Sequence, residues 1–227
     1  MLYSHISKGI FISRPNRFEA FVDLGAGPVL CHVKNTGRCR ELLIPGVTVY
    51  VDESGNPARK TRYDLVAVEK AGLGTVNIDS QAPNAVVREW LALQGFDRVV
   101  PEYTFGNSRI DFYMEKSIGG DVGRILMEVK GCTLEIDGTG YFPDAPTDRG
   151  RKHLDELIRA REQGFRAIAA FVIQMEGIAE VLPNAATDPG FAERLRSAKS
   201  AGVEVVGLTC SVTPDSLVIK GENRFLV

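Results

Sequence analysis

Three charged residues lie on two neighbouring segments whose alternating pattern predicts half-buried strands. Asp111 lies in SRIDFYMEK, and Glu128 and Lys130 lie in RILMEVKGCTL. Burying a charge is costly unless the charge is paired or coordinated. Mg²⁺ and Mn²⁺ prefer carboxylate oxygens and keep open positions for water and phosphate oxygens. A lysine beside such an ion can hold an attacking water or stabilise developing charge, so this set predicts a site for phosphodiester hydrolysis.

Two predicted turns set the register of these acids. Gly106-Asn107 suits a tight hairpin, and antiparallel pairing about it places Glu102 opposite Asp111. Pairing about Gly119-Gly120 places Asp111 opposite Glu128. Directly opposed residues share a face of the sheet, so the three acids are predicted to form one row with the lysine on the same side. Glu102 is therefore a third candidate metal ligand.

A simpler arrangement of the same residues stays open. A slip of one residue in the second hairpin would turn Glu128 to the opposite face. Asp111 and Lys130 would then form an ion pair at the end of the sheet, with Glu102 and Glu128 in solvent. E-x-K by itself does not decide between the two arrangements, because charges alternate on many strands.

Up to about residue 80, short alternating or apolar runs are separated by turn residues. Six of these runs are KGIFI, RFEAFVDL, PVLCHV, VTVYVD, YDLVAVEK and TVNID. Strands of this length and spacing favour a small antiparallel barrel or sandwich. One helical turn is predicted at 38–43, and no longer helical pattern occurs there.

The pattern changes near residues 80–83. A helix is predicted over 84–95 with Asn84 as its N-cap. The segments that follow are three strands, a helix at about 148–163, the apolar strand FRAIAAFVIQM, the helix PGFAERLRSAKSAG and the strand VEVVGL. This order predicts a mixed sheet between helices. We therefore expect an α/β (α+β) chain with a barrel at 1–80 and a mixed-sheet domain at 81–227.

Composition sets limits on function. The chain has 227 residues, 44% of them apolar and 25% charged, with a net charge of −2, so any basic surface must be local. Four scattered cysteines without a C-x-x-C pair predict reduced, buried thiols. No apolar run approaches the ~18 residues of a membrane span, so we expect a cytoplasmic protein without membrane contact. The sequence contains no Walker or dinucleotide-binding motif, so no nucleotide cofactor is predicted. The oligomeric state is not predicted.

Basic residues of the first domain collect in or beside turns. The candidates for nucleic-acid binding are Arg14, Arg17, Lys34, Arg38, Arg40 and Lys60. Phe18 and Phe21 lie nearby, and strand alternation predicts that one of them faces the core. A basic groove with aromatic side chains is how an OB barrel binds a single strand. Gly37 and neighbouring amides could cradle a phosphate, or form an ordinary barrel loop.

A second basic group opens the helix at about 148. It consists of Arg149, Arg151, Lys152 and His153. Cations at a helix N-terminus oppose the helix dipole, so a bound phosphate would relieve an unfavourable arrangement. The alternative is a solvated basic face, partly paired with Asp148, Asp155 and Glu156. His153 could reach a phosphate or be a hydrogen-bonded structural histidine.

Several segments together resemble a known family. They are SRIDF, EVKGCTL, FPDAPTDRGRKHLDELI, HVKNTGRCRELLIPG and RKTRYDL, which resemble the sugar fermentation stimulation protein A family over essentially the whole chain. The aspartate followed by E-x-K also resembles the PD-(D/E)xK nuclease core, although Ile110 stands where that core usually has proline. The resemblance implies an OB-like barrel joined to a nuclease-like domain, and a DNA-binding protein.

Carried over to this chain, the nuclease core falls on Asp111, Glu128 and Lys130, with Glu89 of the first helix as a further metal ligand. The resemblance thus implies a Mg²⁺- or Mn²⁺-dependent hydrolase acting on DNA, linked by the family name to regulation of sugar metabolism. Two alternatives stay open. One is a non-catalytic DNA-binding regulator that retains the nuclease scaffold, and the other is a nucleotide or sugar-phosphate sensor. Whether the DNA is single- or double-stranded is not predicted.

Overall fold

The computed structural model describes residues 1–35, 37–56 and 58–224. One residue of the predicted ESGNP turn, one of the loop after Asn35 and the last three residues of the predicted second domain lie outside these ranges. Among the helices of the described ranges, none has the length and apolar character needed to cross a membrane.

The first third of the chain is a closed barrel. Its strands are β1 (Ile6–Asn16), β2 (Glu19–Asp23), β3 (Pro28–Val33), β4 (Thr48–Glu53), β5 (Tyr63–Lys70) and β6 (Gly74–Asn77). They pair in the order β3-β2-β1-β4-β5-β6, and a parallel pairing of β3 with β5 closes five of them into an OB barrel. Val49 and Val51 of β4 are buried in alternation with less buried neighbours, as a one-sided strand requires. The six predicted strands and the barrel are confirmed.

The rest of the chain is a mixed sheet with helices on both faces. The helices and the strands of the large sheet are α1 (Ala82–Leu91), β7 (Arg98–Phe105), β8 (Ser108–Ile118), β9 (Asp121–Cys132), α2 (Asp148–Glu162), β12 (Arg166–Ile173), α3 (Pro189–Ser200), β14 (Glu204–Thr213) and β15 (Ser216–Arg224). A small second sheet consists of β10 (Leu134–Ile136), β11 (Thr139–Phe142) and β13 (Glu180–Pro183). The large sheet has the order β15-β14-β12-β9-β8-β7, in which β9, β12 and β14 are parallel. Met127 belongs to the core cluster that contains the apolar residues of α1, whereas Leu126 belongs to the core cluster on the opposite face, which contains those of α2 and α3. The predicted mixed sheet is confirmed.

The sequence pattern missed β10, β11, β13 and β15, and it misplaced the start of α1. Gln81, and not Asn84, is the N-cap of α1, because Pro83 fits the first turn and the Asp79 carboxylate accepts the Gln81 N–H at 2.8 Å. Asn84 lies inside the helix. Three of the missed strands have only three or four residues, which is too short for alternation to stand out.

Both predicted hairpin registers are confirmed. Phe105 pairs with Ser108 across the first turn, and Ile118 pairs with Asp121 across the second. The pairing keeps the predicted register along β7, β8 and β9 up to the level of Asp111.

A buried polar network joins the barrel to the mixed-sheet domain. The fully buried Asp79 carboxylate contacts the Lys34 ammonium at 2.7 Å and the Tyr3 hydroxyl at 3.2 Å. Gln174 of the mixed-sheet domain donates to the Asn77 side chain at 2.8 Å and to the Asp79 carbonyl at 3.0 Å. Because a buried carboxylate needs a cation nearby, Lys34 is committed to this junction and is not available for the predicted phosphate contact.

We predict that Lys34→Met destabilises the protein by about 3 kcal/mol, because it leaves the Asp79 carboxylate buried without its cation. Lys60→Met is the matched control, since the Lys60 side chain is 85% exposed and lies 3.7 Å from Glu19. Urea denaturation at neutral pH measures both variants. Equal midpoints for the two variants would contradict the structural role of Lys34.

Candidate active site

The acid site lies where β8 and β9 separate. Their last paired residues before the gap are Phe112 and Met127. One step further, Asp111 comes opposite Glu128, and the Asp111 carboxylate takes the place of a main-chain carbonyl by accepting the Val129 N–H at 2.7 Å. Its second oxygen accepts a hydrogen bond from the Asn84 side-chain amide at 2.7 Å. The Asp111 carboxylate is therefore held by α1 and β9 together.

Glu128 is only 3% exposed. Its Oε1 contacts the Lys130 ammonium and Nδ1 of His153. Its Oε2 is buried and has no hydrogen-bond partner among the described residues. A buried carboxylate oxygen without a partner is costly, so this atom marks a position where a ligand would be stabilised.

His153 is a buried member of this cluster. With its proton on Nδ1 it donates to Glu128, and its Nε2 accepts from Nε of Arg149 at 3.4 Å. Lys130 Nζ lies 3.2 Å from the same Nδ1. The hydrogen-bonded interpretation of His153 is therefore supported, and Arg149 connects the cluster with the surface.

The pKa values of the two acids move in opposite directions. Burial raises the pKa of Asp111 and the nearby Glu128 carboxylate raises it further, while Lys130, Val129 and Asn84 offset part of this rise. Burial would also raise the pKa of Glu128, but Lys130 and His153 outweigh it and hold that pKa below its ordinary value. The surroundings therefore stabilise the negative charge of Glu128 and destabilise that of Asp111.

The donor set fits a hard divalent cation with few protein ligands. Asp111 and Glu128 supply carboxylates from neighbouring strands, and one Glu128 oxygen is unpartnered. Mg²⁺ is commonly bound through one or two carboxylates with several waters retained. No cluster of three or more His, Cys, Asp or Glu side chains with the arrangement of a metal site occurs in the described ranges.

The structure does not bring the other two proposed acids to this site. Glu102 opposes Asp111 by register, but its positive φ of 54° interrupts the strand alternation, and its exposed side chain lies 3.4 Å from Arg109. Glu89 is exposed on α1 and pairs with the N-terminal amine at 2.5 Å. The predicted row of three acids therefore reduces to two.

The simpler ion-pair arrangement is also not observed. It required Lys130 to pair with Asp111 and Glu128 to be solvated. Lys130 instead contacts Glu128, and Glu128 is buried.

The barrel arginines and lysines differ in what they contact. The Arg14 guanidinium donates to four main-chain carbonyls, of residues 17, 35, 37 and 38, and is a scaffold residue. Arg17, Arg38 and Arg40 line a cavity of about 490 Å³, named here the arginine cavity. No ion pair with a carboxylate is found for these three within the described part of the chain.

Two amides of the predicted phosphate cradle, those of Gly37 and Arg38, are already used. Gly37 N–H donates to the Asn35 side chain at 2.7 Å, and Arg38 N–H donates to the Asp144 carboxylate at 2.9 Å. These amides therefore belong to an ordinary barrel loop that is fastened by a carboxylate of the mixed-sheet domain.

The basic residues at the start of α2 also differ in what they contact. Arg151 is bound to Asp188 and Asp148, and Thr147 caps the helix by accepting the Gly150 N–H at 2.9 Å. Arg149 and Lys152 are exposed, and no carboxylate ion pair is found for either among the described residues. Of this group, Arg149 and Lys152 are therefore the cations whose charge is left for a phosphate, although Arg149 also donates to His153.

Strand alternation misled the prediction for Phe18 and Phe21. Both are partly exposed, 43% and 39%, because Phe18 lies in the turn before β2 and not on the strand. The four cysteines are free and buried, as predicted.

Comparisons with known proteins cover the whole fold. The family model described as "Sugar fermentation stimulation protein RE domain" matches residues 81–216, and "SfsA N-terminal OB domain" matches residues 12–78. A "Sugar fermentation stimulation protein homolog" of Desulfitobacterium hafniense is 49% identical over 220 residues, which are 96% of this chain and 94% of the relative. A homolog of Clostridium beijerinckii is 46% identical over 97% of both chains.

One solved structure is similar over its full length. It is described as "The structure of Pyrococcus Furiosus SfsA in complex with Ca2+", with a TM-score of 0.86 and 29% identity, covering 100% of this chain and 98% of that one.

We predict that, with chelator present, Asp111→Asn is as stable as the wild type or more stable, whereas Glu128→Gln is less stable by about 1–3 kcal/mol. The raised pKa of Asp111 means that its ionisation costs stability at neutral pH, and an amide removes that cost. The lowered pKa of Glu128 means that its charge contributes stability at neutral pH. Urea midpoints at pH 7 measure the difference. Equal losses of stability in both variants would show that ionisation of Asp111 does not destabilise the folded protein.

Proposed function

Because the chain belongs to the sugar fermentation stimulation protein (SfsA) family, we propose that it is a DNA-binding protein that hydrolyses phosphodiester bonds at a divalent-cation site on Asp111 and Glu128. The observation that carries this proposal is the buried, unpartnered Oε2 of Glu128 beside a second carboxylate. A cation there would relieve both the repulsion and the missing hydrogen bond.

The relative from Pyrococcus furiosus supports the choice of ligand. It is described in complex with Ca²⁺. Ca²⁺ and Mg²⁺ are both hard cations bound through oxygen atoms, and Mg²⁺ or Mn²⁺ is the cation we propose for this chain. Such an ion, when bound, would polarise the phosphodiester and lower the pKa of a water.

Each residue of the cluster has a distinct role in the proposal. The two carboxylates would hold the cation. The Lys130 side chain is 21% exposed, so its ammonium can donate to a water or to a phosphate oxygen while it still contacts Glu128. His153 occupies Oε1 of Glu128, which leaves Oε2 free for the cation. Arg149, which contacts His153 from the surface, is positioned to neutralise a phosphate that approaches the site.

DNA binding is proposed to rest on the unpaired cations. These are Arg17, Arg38 and Arg40 in the barrel and Arg149 and Lys152 on α2. Phosphate contacts of this kind release counterions, so the affinity should fall with rising salt.

A second candidate function is a DNA-binding regulator without catalysis. The observation that favours it is that Lys130 and His153 already compensate the charge of Glu128, while Glu89 and Glu102 supply no third ligand. This candidate predicts DNA binding that persists in chelator and no strand scission with any divalent cation.

Cleavage of labelled single-stranded and duplex DNA, resolved on denaturing gels, tests the proposal. We expect cleavage with Mg²⁺ or Mn²⁺, none with chelator, and a loss of about 10²-fold or more in Asp111→Ala and Lys130→Met. Glu89→Gln and Glu102→Gln are matched controls, because both acids are exposed and outside the site. Cleavage that is unchanged in Asp111→Ala would overturn the mechanism, and binding without cleavage in the wild type would favour the regulator.

A further inference from the structure

Two cavities each have a lining residue in the turn between β1 and β2. Arg17 lines the arginine cavity, and the next residue, Phe18, lines a second cavity of about 380 Å³, named here the aromatic cavity. The aromatic cavity is also lined by the cations Lys34 and Arg59, by Asp64, and by Ser80 and Gln81. Because Ser80 and Gln81 immediately precede α1, this cavity is formed by the barrel and the start of the mixed-sheet domain.

The cations of the aromatic cavity are neutralised. Lys34 is paired with Asp79 at 2.7 Å, and both terminal nitrogens of Arg59 contact the Asp64 carboxylate, at 2.9 and 2.5 Å. A cavity whose cations carry their own carboxylates does not favour a phosphate, but it suits a neutral planar group with polar edges.

The arginine cavity has the opposite character. Arg17, Arg38 and Arg40 have no carboxylate partner in the parts of the chain that are described, and the Arg14 guanidinium adds a further positive charge. Guanidinium groups without an acid partner favour phosphate oxygens.

The main chain of Phe18 is held by two hydrogen bonds, and the residue is 43% exposed. Its carbonyl accepts the Val33 N–H at 2.7 Å, and its N–H donates to the Asn16 side chain at 2.8 Å. The Arg17 guanidinium lies 4.7 Å from the centre of the Phe18 ring, so a cation and an aromatic ring form one surface between the two cavities. An aromatic side chain has few rotatable bonds, so it loses little entropy when a base stacks on it.

From this division we infer that the barrel binds a single-stranded polynucleotide, with one unstacked base in the aromatic cavity against Phe18 and adjacent phosphates in the arginine cavity. A base within a duplex is covered on both faces by its neighbours and cannot stack on Phe18 without unpairing. The inference rests on the proposed DNA binding and names its substrate class, and it does not require cleavage.

Fluorescence anisotropy with chelator present tests it, using oligothymidylate and oligouridylate of about 12 nucleotides and a duplex of the same length. We expect the single strands to bind at least about 10-fold more tightly than the duplex, and Phe18→Leu to lose about 10-fold for single strands. Phe18→Tyr, which keeps the ring, should bind like the wild type. Phe21→Leu is the control, because Phe21 is similarly exposed but lines neither cavity.

Salt dependence separates the two cavities. The double variant Arg38→Ala, Arg40→Ala should weaken both single-strand and duplex binding. It should reduce the slope of log affinity against log salt by about 1.4 for single strands and about 1.8 for the duplex. Phe18→Leu should leave that slope unchanged, because it removes stacking and no charge. The deoxy and ribo oligonucleotides show which sugar the barrel prefers.

Equal affinity for duplex and single strand, or wild-type affinity in Phe18→Leu, would overturn the inference. An affinity loss in Phe18→Tyr that equals the loss in Phe18→Leu would also overturn it, because stacking would not be what was removed. Since binding is measured without divalent cation, a Phe18 effect without cleavage leaves the inference standing and removes only the hydrolysis. Failure to bind any polynucleotide would remove both the inference and the DNA binding.

Discussion

Repulsion between the buried carboxylate of Glu128 and the partly buried carboxylate of Asp111 is the constraint on which this structure depends. Asp111 and Glu128 lie opposite one another where β8 and β9 separate. Lys130 and His153 secure the charge of Glu128 through one oxygen, while Asn84 and the Val129 amide hold Asp111. These contacts fix both acids and leave one Glu128 oxygen without a partner. A protein built only for stability would have little reason to keep this arrangement, since apolar residues commonly replace buried ionic groups without loss.

Two carboxylates, of Asp79 and Asp144, connect the barrel with the elements that hold the acid pair. Asp79 joins Lys34 of the barrel to the start of α1, the helix that carries Asn84 to Asp111. Asp144, which lies shortly before α2, accepts the Arg38 N–H, and its side chain occupies the space that a Cβ on residue 37 would need. The loop that carries Arg38 is therefore tied to the segment that leads into α2 and His153. The arginine cavity and the acid pair thus belong to one connected set of contacts.

Sequence reasoning succeeded where short-range geometry decides. The turns at 106–107 and 119–120 set both hairpin registers, and these registers place Asp111 opposite Glu128. It failed where tertiary contacts decide. Glu102 has the right register but a positive φ turns it away, and nothing in the spacing of Asn84 indicates its bond to Asp111. Arg14 and Arg38 both lie beside turns in the sequence. Only the folded chain shows that the Arg14 guanidinium donates to four main-chain carbonyls, whereas no carboxylate ion pair is found for Arg38 among the described residues.

The most direct test of the central claim is a crystal soaked in Mn²⁺ and measured at a wavelength where manganese scatters anomalously. The account predicts an anomalous peak between the carboxylates of Asp111 and Glu128, within about 2.0–2.3 Å of Oε2 of Glu128, and no such peak in Asp111→Asn. A map without density there at saturating Mn²⁺, with both side chains arranged as described, would contradict the claim that these acids are held together for a cation.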